Sequence, residues 1–352
     1  MKRYDIHKIT DLINDRKLMC QVHPTLPLKI YKYTVDTQFS KEWNEITLAA
    51  RGLVLDADGN AYTNPFPKFF NLEELTESQL PIDIPYQVFD KVDGSCIEIF
   101  RYKGQVIVNT LGSFESDQAK IAEQLLYSQY ANSVEKIQDG FTYIFELVVP
   151  ENRIVLNYGE EKKLVLLAVR NNDTDEETLP VELGFPVVDE VKMSIQELIT
   201  EKQRPDFTNK EGFVIRFANG FRVKIKYEEY FRLHKIMTGV NERFVWEFMK
   251  ENKPLPLDNV PDEFFQYVTS VQSMLRYQFA EVEEQAKFRF KLISKEGQSR
   301  KEFALEALKY DNRSILFKLL EGKEYSNLIW MMIRPEAKPT QFSSLKRMDA
   351  DA

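Results

Sequence analysis

Hydrophobic and polar positions fall into two textures along the 352-residue chain. Up to about residue 226, apolar residues alternate with polar ones or form short blocks, broken by Asp-Gly, Lys-Gly and Asn-Gly turns, which is the pattern of strands. Residues 29–33, 52–56, 86–90, 97–100, 106–110, 143–149, 153–156, 164–169, 213–217 and 221–225 read this way. Residues 52–56 enter the Asp58-Gly59 turn, and residues 97–100 and 106–110 form a hairpin around Lys103-Gly104. Three short helices are expected between the strands. They are residues 5–16, with Ile6, Ile9, Leu12 and Ile13 on one face, residues 116–130 behind Ser116 as N-cap, and residues 194–201. The acidic stretch 171–178 reads as a surface loop.

From Tyr227 the apolar period lengthens to that of helices, over residues 228–237, 242–250, 262–293, 299–308 and 314–320. The pattern predicts an α+β chain. An antiparallel-sheet domain spans residues 1–238 and an all-helical domain residues 239–352, with the texture changing near 236–241 and the last dozen residues a loose tail.

Composition narrows the class. Hydrophobic residues make up 43% and charged residues 29%, which suits a globular chain with a sizeable core. No run of about 18 apolar residues is present, so no membrane span is expected, and the N-terminus lacks a signal peptide's apolar stretch. Two cysteines, Cys20 and Cys96, make no disulfide framework and fit a reducing cytoplasm. Cys20 and His23 have metal-ligand spacing but no second pair, which argues against a structural zinc. The net charge of −8 excludes indiscriminate nucleic-acid binding by overall charge. A nucleic acid would need a local patch, and cations do concentrate in residues 216–243 and 287–301.

The candidate chemistry starts at Lys91-Val92-Asp93-Gly94-Ser95. A lysine leaving a strand into an Asp-Gly bend has a fixed backbone and an amine free to enter a cleft, as a nucleophilic lysine requires. An ordinary hairpin turn with a solvated lysine has the same sequence. In residues 221–226, Phe221, Val223 and Ile225 alternate with Arg222, Lys224 and Lys226, so three cations share one strand face. A polyphosphate would explain them, and such cations would also depress the pKa of an attacking lysine. Glu146 is an acid inside an apolar strand, either paired with a cation or holding a metal. Glu211-Gly212 opens the last hairpin, Arg51-Gly52 begins a strand, and Lys68 sits among aromatics in Phe66-Pro67-Lys68-Phe69-Phe70.

In chain order, these pieces resemble the covalent nucleotidyltransferases: DNA ligases, RNA ligases and mRNA capping enzymes. The resemblance extends to the phage RNA ligase 1 family of tRNA-repair ligases. It rests on Lys68-Phe69-Phe70-Asn71-Leu72, Lys91 to Ser95, Gly112-Ser113, the run from Pro150 to Leu156, Glu211-Gly212, Lys224-Ile225-Lys226 and Tyr230. It is strong to about residue 235 and looser beyond.

By that resemblance, Lys91 attacks the α-phosphorus of ATP and carries AMP as a phosphoramide. The AMP then passes to a 5′-phosphate RNA end, which a 3′-hydroxyl seals. Lys224 and Lys226 match lysines near the α-phosphate. Tyr33, Arg51, Lys68 and Gly94 match nucleotide-binding positions, Phe70 would pack either on the adenine or in the core, and Asp93, Glu146 and Glu211 match acids that hold a hydrated Mg²⁺. The implied partners are single-stranded RNA ends, a nicked tRNA anticodon loop among them, with the chain acting as a monomer. Two departures stand out. Leu111 occupies a position where the family often has lysine, and a metal-binding acid in the helical region has only Asp258 and Asp262 as candidates. A DNA ligase or capping enzyme would continue into an OB-fold after the Lys-x-Lys strand, and this chain turns helical. An inactive RNA-binding module would not require the full set of lysine, acids and Lys-x-Lys.

Overall fold

A computed structural model describes residues 1–152, 155–204, 209–257, 260 and 262–338. The first strands are β1 (Leu18–Val22), β2 (Lys29–Tyr33), β3 (Arg51–Leu55) and the two-residue β4 (Phe70–Asn71). Next come β5 (Tyr86–Lys91), β6 (Ser95–Tyr102), β7 (Gln105–Thr110), β8 (Phe141–Val148) and β9 (Lys163–Asn171). The last are β10 (Glu177–Thr178), β11 (Glu190–Val191), β12 (Gly212–Phe217) and β13 (Arg222–Lys226). They build three sheets, in the orders β1-β2-β3, β10-β9-β8-β6-β7 and β11-β5-β12-β13-β4. All pairings are antiparallel except β13 with β4. The fold is α+β, with largely antiparallel sheets followed by a helical C-terminal region.

The Lys103-Gly104 turn joins β6 to β7 with both residues at positive φ, 49° and 83°, as a tight right-twisted hairpin requires. Alternation along β6 sends Ile97 and Ile99 into a core with Phe145, Leu147, Leu164 and Leu166, closed by Ala122 and Leu126 of the helix Asp117–Ser128. Each such fully buried aliphatic side chain contributes roughly 1.5–3 kcal/mol. That helix starts where its cap demands, with Ser116 Oγ accepting from the Ala119 amide at 3.2 Å.

Two expectations change. Residues 155 and 156 lie outside any strand, and Arg153 and Ile154 fall outside the described residues. The acidic stretch is not wholly a surface loop, since its end forms β10 and carries Glu177 inward to 11% exposure. Arg170, Arg216 and Arg222 draw it in, because a buried carboxylate is tolerated only where cations meet it.

Packing divides the chain between His234 and Lys235. In the second unit the 32-residue helix Asp262–Ile293 is the spine. Ala286 packs with Ile315 and Ile329, and Ile293 with Phe303, Ala307 and Leu316. Trp246 Nε1 donates to the Trp330 carbonyl at 2.7 Å. Its basic run is partly consumed internally: Lys287 pairs with Glu283 at 3.0 Å, and Arg289 donates to Asn312 while covering the Tyr310 ring. Asp258 falls outside the described residues. No helix among the described residues is long and apolar enough to cross a membrane.

Candidate active site

The Lys91 bend is not a hairpin turn. β5 ends on Lys91 in the third sheet and β6 begins on Ser95 in the second, so Val92-Asp93-Gly94 is the corner where the chain changes sheets. The corner is tight. A Cβ on Gly94 would stand 2.3 Å from the Leu147 carbonyl oxygen, so only glycine admits this approach to β8. Lys91 is therefore delivered to the seam between two sheets, at the wall of a cavity of about 370 Å³. Tyr33, Arg51, Lys91, Asp93, Gly94, Glu146, Glu211, Lys224, Lys226 and Tyr230 all line it.

Strand pairing explains the convergence. Lys91 lies opposite Gly212, and Gly212 opposite Lys226, which sets Glu211 beside both lysines. The Glu211 carboxylate, only 3% exposed, accepts from Lys91 Nζ at 2.8 Å and from Lys226 Nζ at 2.7 Å. Glu146 enters from β8, paired with Cys96 on β6. Lys224 is neighboured by cations and stands over the Phe69 ring at 5.3 Å, with Arg51 over the same ring at 5.7 Å.

Electrostatics correct one expectation. Cations were expected to depress the Lys91 pKa, yet it is raised. Burial works against its charge, but Glu211, Glu146 and Asp93 outweigh burial and hold the ammonium. Glu211 responds in kind. Burial pushes its carboxyl up, Lys226 and Lys91 pull it down further, and the result is a pKa of about 2. Depression falls instead on Lys224, through burial and then the charges of Lys91, Lys68, Arg51 and Lys226.

Lys68 and Phe70 are held beside the lining. Lys68 Nζ donates to the Tyr33 hydroxyl at 3.2 Å and sits over the Tyr33, Trp43 and Phe70 rings. Phe70 packs edge-on against Trp43. Leu111 does face the cavity and is 4% exposed, an apolar patch where the family pattern has a cation. His23 is engaged elsewhere, its Nδ1 accepting from the amides of Thr25 and Leu26.

Other lining residues escaped the sequence reading. At one end of the cavity Glu177 is held by Arg216 at 2.7 Å and by Arg222, whose guanidinium stacks on Phe66 at 4.1 Å. Arg222 is thus tied to Glu177, whose one carboxylate it shares with Arg216 and Arg170. Glu98 on β6 is fully buried, accepts from Asn109 Nδ2 at 3.1 Å, and has a pKa pushed well up by burial. Gly52 exists for it: at φ +97°, a Cβ there would fall 2.3 Å from the Glu98 carboxylate.

The three acids offer only hard oxygen donors, which suits Mg²⁺. Among the described residues no three His, Cys, Asp or Glu side chains form a chelating group.

A family model for RNA ligases matches residues 49–231, from Ala49 through the whole lysine–acid constellation to Phe231. The chain belongs to the phage-type RNA ligase 1 family. An RNA ligase of a Rhodothermus phage is 23% identical over 380 residues, covering 84% of this chain and 86% of that protein. A bifunctional polynucleotide kinase/RNA ligase, so named provisionally, of Autographa californica nuclear polyhedrosis virus is 29% identical over 219 residues. That match covers 54% of this chain and 31% of the viral protein. Among solved structures, an ATP-dependent DNA ligase assigned in Aquifex aeolicus matches 91% of this chain and 88% of its own, at 14% identity and TM-score 0.46. A Naegleria gruberi RNA ligase with AMP and Mn covers 49% of this chain and 58% of its own, at 14% identity and TM-score 0.39. In this RNA ligase family member, Lys91, the three acids and the cations Arg51, Lys224 and Lys226 fall inside the segment the family model spans, while Tyr33 and His234 line the same cavity from outside it.

Proposed function

We propose that the chain joins 5′-phosphate and 3′-hydroxyl RNA ends with ATP through an adenylate on Lys91. The observation that carries this reading is Lys91 at a sheet-crossing corner, facing Glu211, Lys224 and Lys226 across one cavity. In the first step the Lys91 amine forms a P–N bond to the α-phosphorus, and the bond to the β-phosphate oxygen breaks, releasing pyrophosphate. In the second, a 5′-phosphate oxygen of RNA displaces Lys91 and takes the AMP. In the third, the RNA 3′-hydroxyl attacks that activated phosphate, a phosphodiester forms and AMP leaves. Lys224 and Lys226 stand where negative charge grows in every step.

Lys91 must be neutral to attack, and in the resting site Glu211 holds it as an ammonium. A hydrated Mg²⁺ held by Asp93, Glu146 and Glu211 would compete for those carboxylates and disfavour the ammonium. Tyr33, Arg51 and Lys68 form the cationic and aromatic end suited to a triphosphate, and Gly94 lets the backbone come close. The helical unit, residues 239–352 in the sequence division, is assigned RNA recognition, with a nicked tRNA anticodon loop as substrate and the monomer as working form in the cytoplasm.

A 5′-phosphorylated single-stranded RNA with a 3′-hydroxyl, incubated with ATP and Mg²⁺, should yield ligase-dependent circles. Adenylylated protein without circles or joined ends, at every RNA tested, would move the assignment to a capping-type nucleotidyltransferase. A DNA oligonucleotide of the same sequence tests substrate class, and deletion of residues 241–352 should spare the adenylate and weaken tRNA preference.

A further inference from the structure

Of the three acids around Lys91, only Glu146 is fixed by a ladder on both sides, paired to Cys96 and to Val165. Asp93 lies past the end of β5, and Glu211 just before β12, where a single backbone bond, from the Tyr227 amide to the Glu211 carbonyl at 3.0 Å, carries the ladder one residue further. The segment after Pro150 bonds to the chain at Asp93 and two residues before Glu211. Tyr158 Oη accepts from the Asp93 amide at 3.1 Å, and its ring is packed with Phe89, Val148, Val165 and Val188. Its neighbour Asn157 donates its amide to Asn209 Oδ1 at 2.9 Å, and Asn209 Nδ2 donates back to the Asn157 carbonyl at 2.9 Å. Asn209, held in the left-handed region at φ +52°, stands two residues before Glu211. One dipeptide thus grips the backbone next to two acids that come from separate strands.

We propose that Asn157 and Tyr158 are positioning residues, a brace that sets the spacing of Asp93 and Glu211 around Lys91 and thereby the affinity of the site for its divalent ion. This rests on the ligase reading for its consequence, though not for the brace itself. A hydroxyl acceptor to a backbone amide and a reciprocal amide pair are rigid, short-range devices. Outer groups of this kind typically change metal affinity 10–100-fold when removed.

Tyr158→Phe deletes only the acceptor. In the full-length protein, the Mg²⁺ concentration giving half-maximal adenylylation should rise about tenfold, with the rate at saturating Mg²⁺ within about threefold of wild type. Amide hydrogen exchange at Asp93 should accelerate about tenfold or more with no ATP or metal present, while exchange in β8 stays unchanged. Asn209→Ala should show the same Mg²⁺ shift. Asn209→Asp, which keeps the acceptor, should show a smaller one. Unchanged exchange at Asp93 in Tyr158→Phe, or exchange that rises with no Mg²⁺ shift, would overturn the brace. So would an adenylate lost at every Mg²⁺ concentration in a variant whose urea midpoint is intact, since Tyr158 would then act in the chemistry itself. A wild-type protein that forms no adenylate contradicts the ligase reading, and the exchange measurement still decides the brace.

Discussion

Two buried glutamates in this cavity are each held between two cations, one of them from β13 in both cases, and they serve opposite ends. Glu211 is shared by Lys91 and Lys226. Glu177 is shared by Arg216 and Arg222, with Arg170 alongside at 3.7 Å. Arg222, Lys224 and Lys226 all rise from one face of β13, so four residues along a strand the environment changes from scaffold to chemistry. The difference lies in the cation. A guanidinium keeps its proton, binds a carboxylate in a fixed fork and stacks on a ring, as Arg222 does on Phe66. An ammonium is a point charge whose pKa moves with its surroundings, and here it moves both ways, up at Lys91 and down at Lys224. Arginine makes the end that must not change, lysine the end that must.

That contrast can be broken. Glu177→Gln should be the most damaging to stability, by roughly 3–5 kcal/mol, because it leaves buried guanidiniums unpaired; a urea midpoint close to wild type would remove the scaffold role. Lys224→Arg should lower the adenylylation rate roughly 10²–10³-fold at an unchanged urea midpoint. Lys224→Met should be equally inactive but more stable by about 1 kcal/mol, since it relieves a buried charge. Rates near wild type in Lys224→Arg would show that the two cations are interchangeable. Arg222→Lys should reverse the pattern, with about 1–2 kcal/mol lost from the fork and the Phe66 stack and the adenylylation rate within about threefold at a temperature where the protein is folded.

The pH dependence separates the ends more finely. Glu211 has its folded pKa depressed to about 2 from an ordinary 4.5, so its stabilisation is present above about pH 4.5 and is lost as pH falls toward 2. Lys91, raised in the fold, contributes stability below its unfolded pKa near 10.5 that is lost only in strong alkali. The urea midpoint of wild type should therefore fall on acidification through pH 4 to 2, and Glu211→Gln should flatten part of that fall. An identical acid slope in the variant would mean the Lys91–Glu211–Lys226 cluster carries no linkage.

Much of this was legible in the chain. The period-2 stretches located the main strands, and the change of period after Tyr227 located the helices, because both follow from which faces must be buried. Alternation put Lys224 and Lys226 on one face of β13, and the resemblance to the RNA ligase 1 family joined Lys91 and Glu211 to them. What escaped depends on long-range pairing. Nothing local in Asp173 to Glu182 says that Glu177 will meet arginines from β9, β12 and β13, since an acidic run has the look of a solvated loop. Glu98 reads as an ordinary strand residue until Gly52 is seen to make room for it. The Lys91 bend could not be told from an ordinary hairpin turn, because a sheet change leaves no mark in four residues.

Lys91 Nζ, delivered by that bend, is the atom proposed to take AMP. Incubation with Mg²⁺ and ATP labelled at the α-phosphate, followed by peptide mapping, tests it directly. The expected result is one acid-labile phosphoramide on the peptide containing Lys91, absent from Lys91→Ala and present in Arg222→Lys. Label on another residue, or label that survives Lys91→Ala, would contradict it.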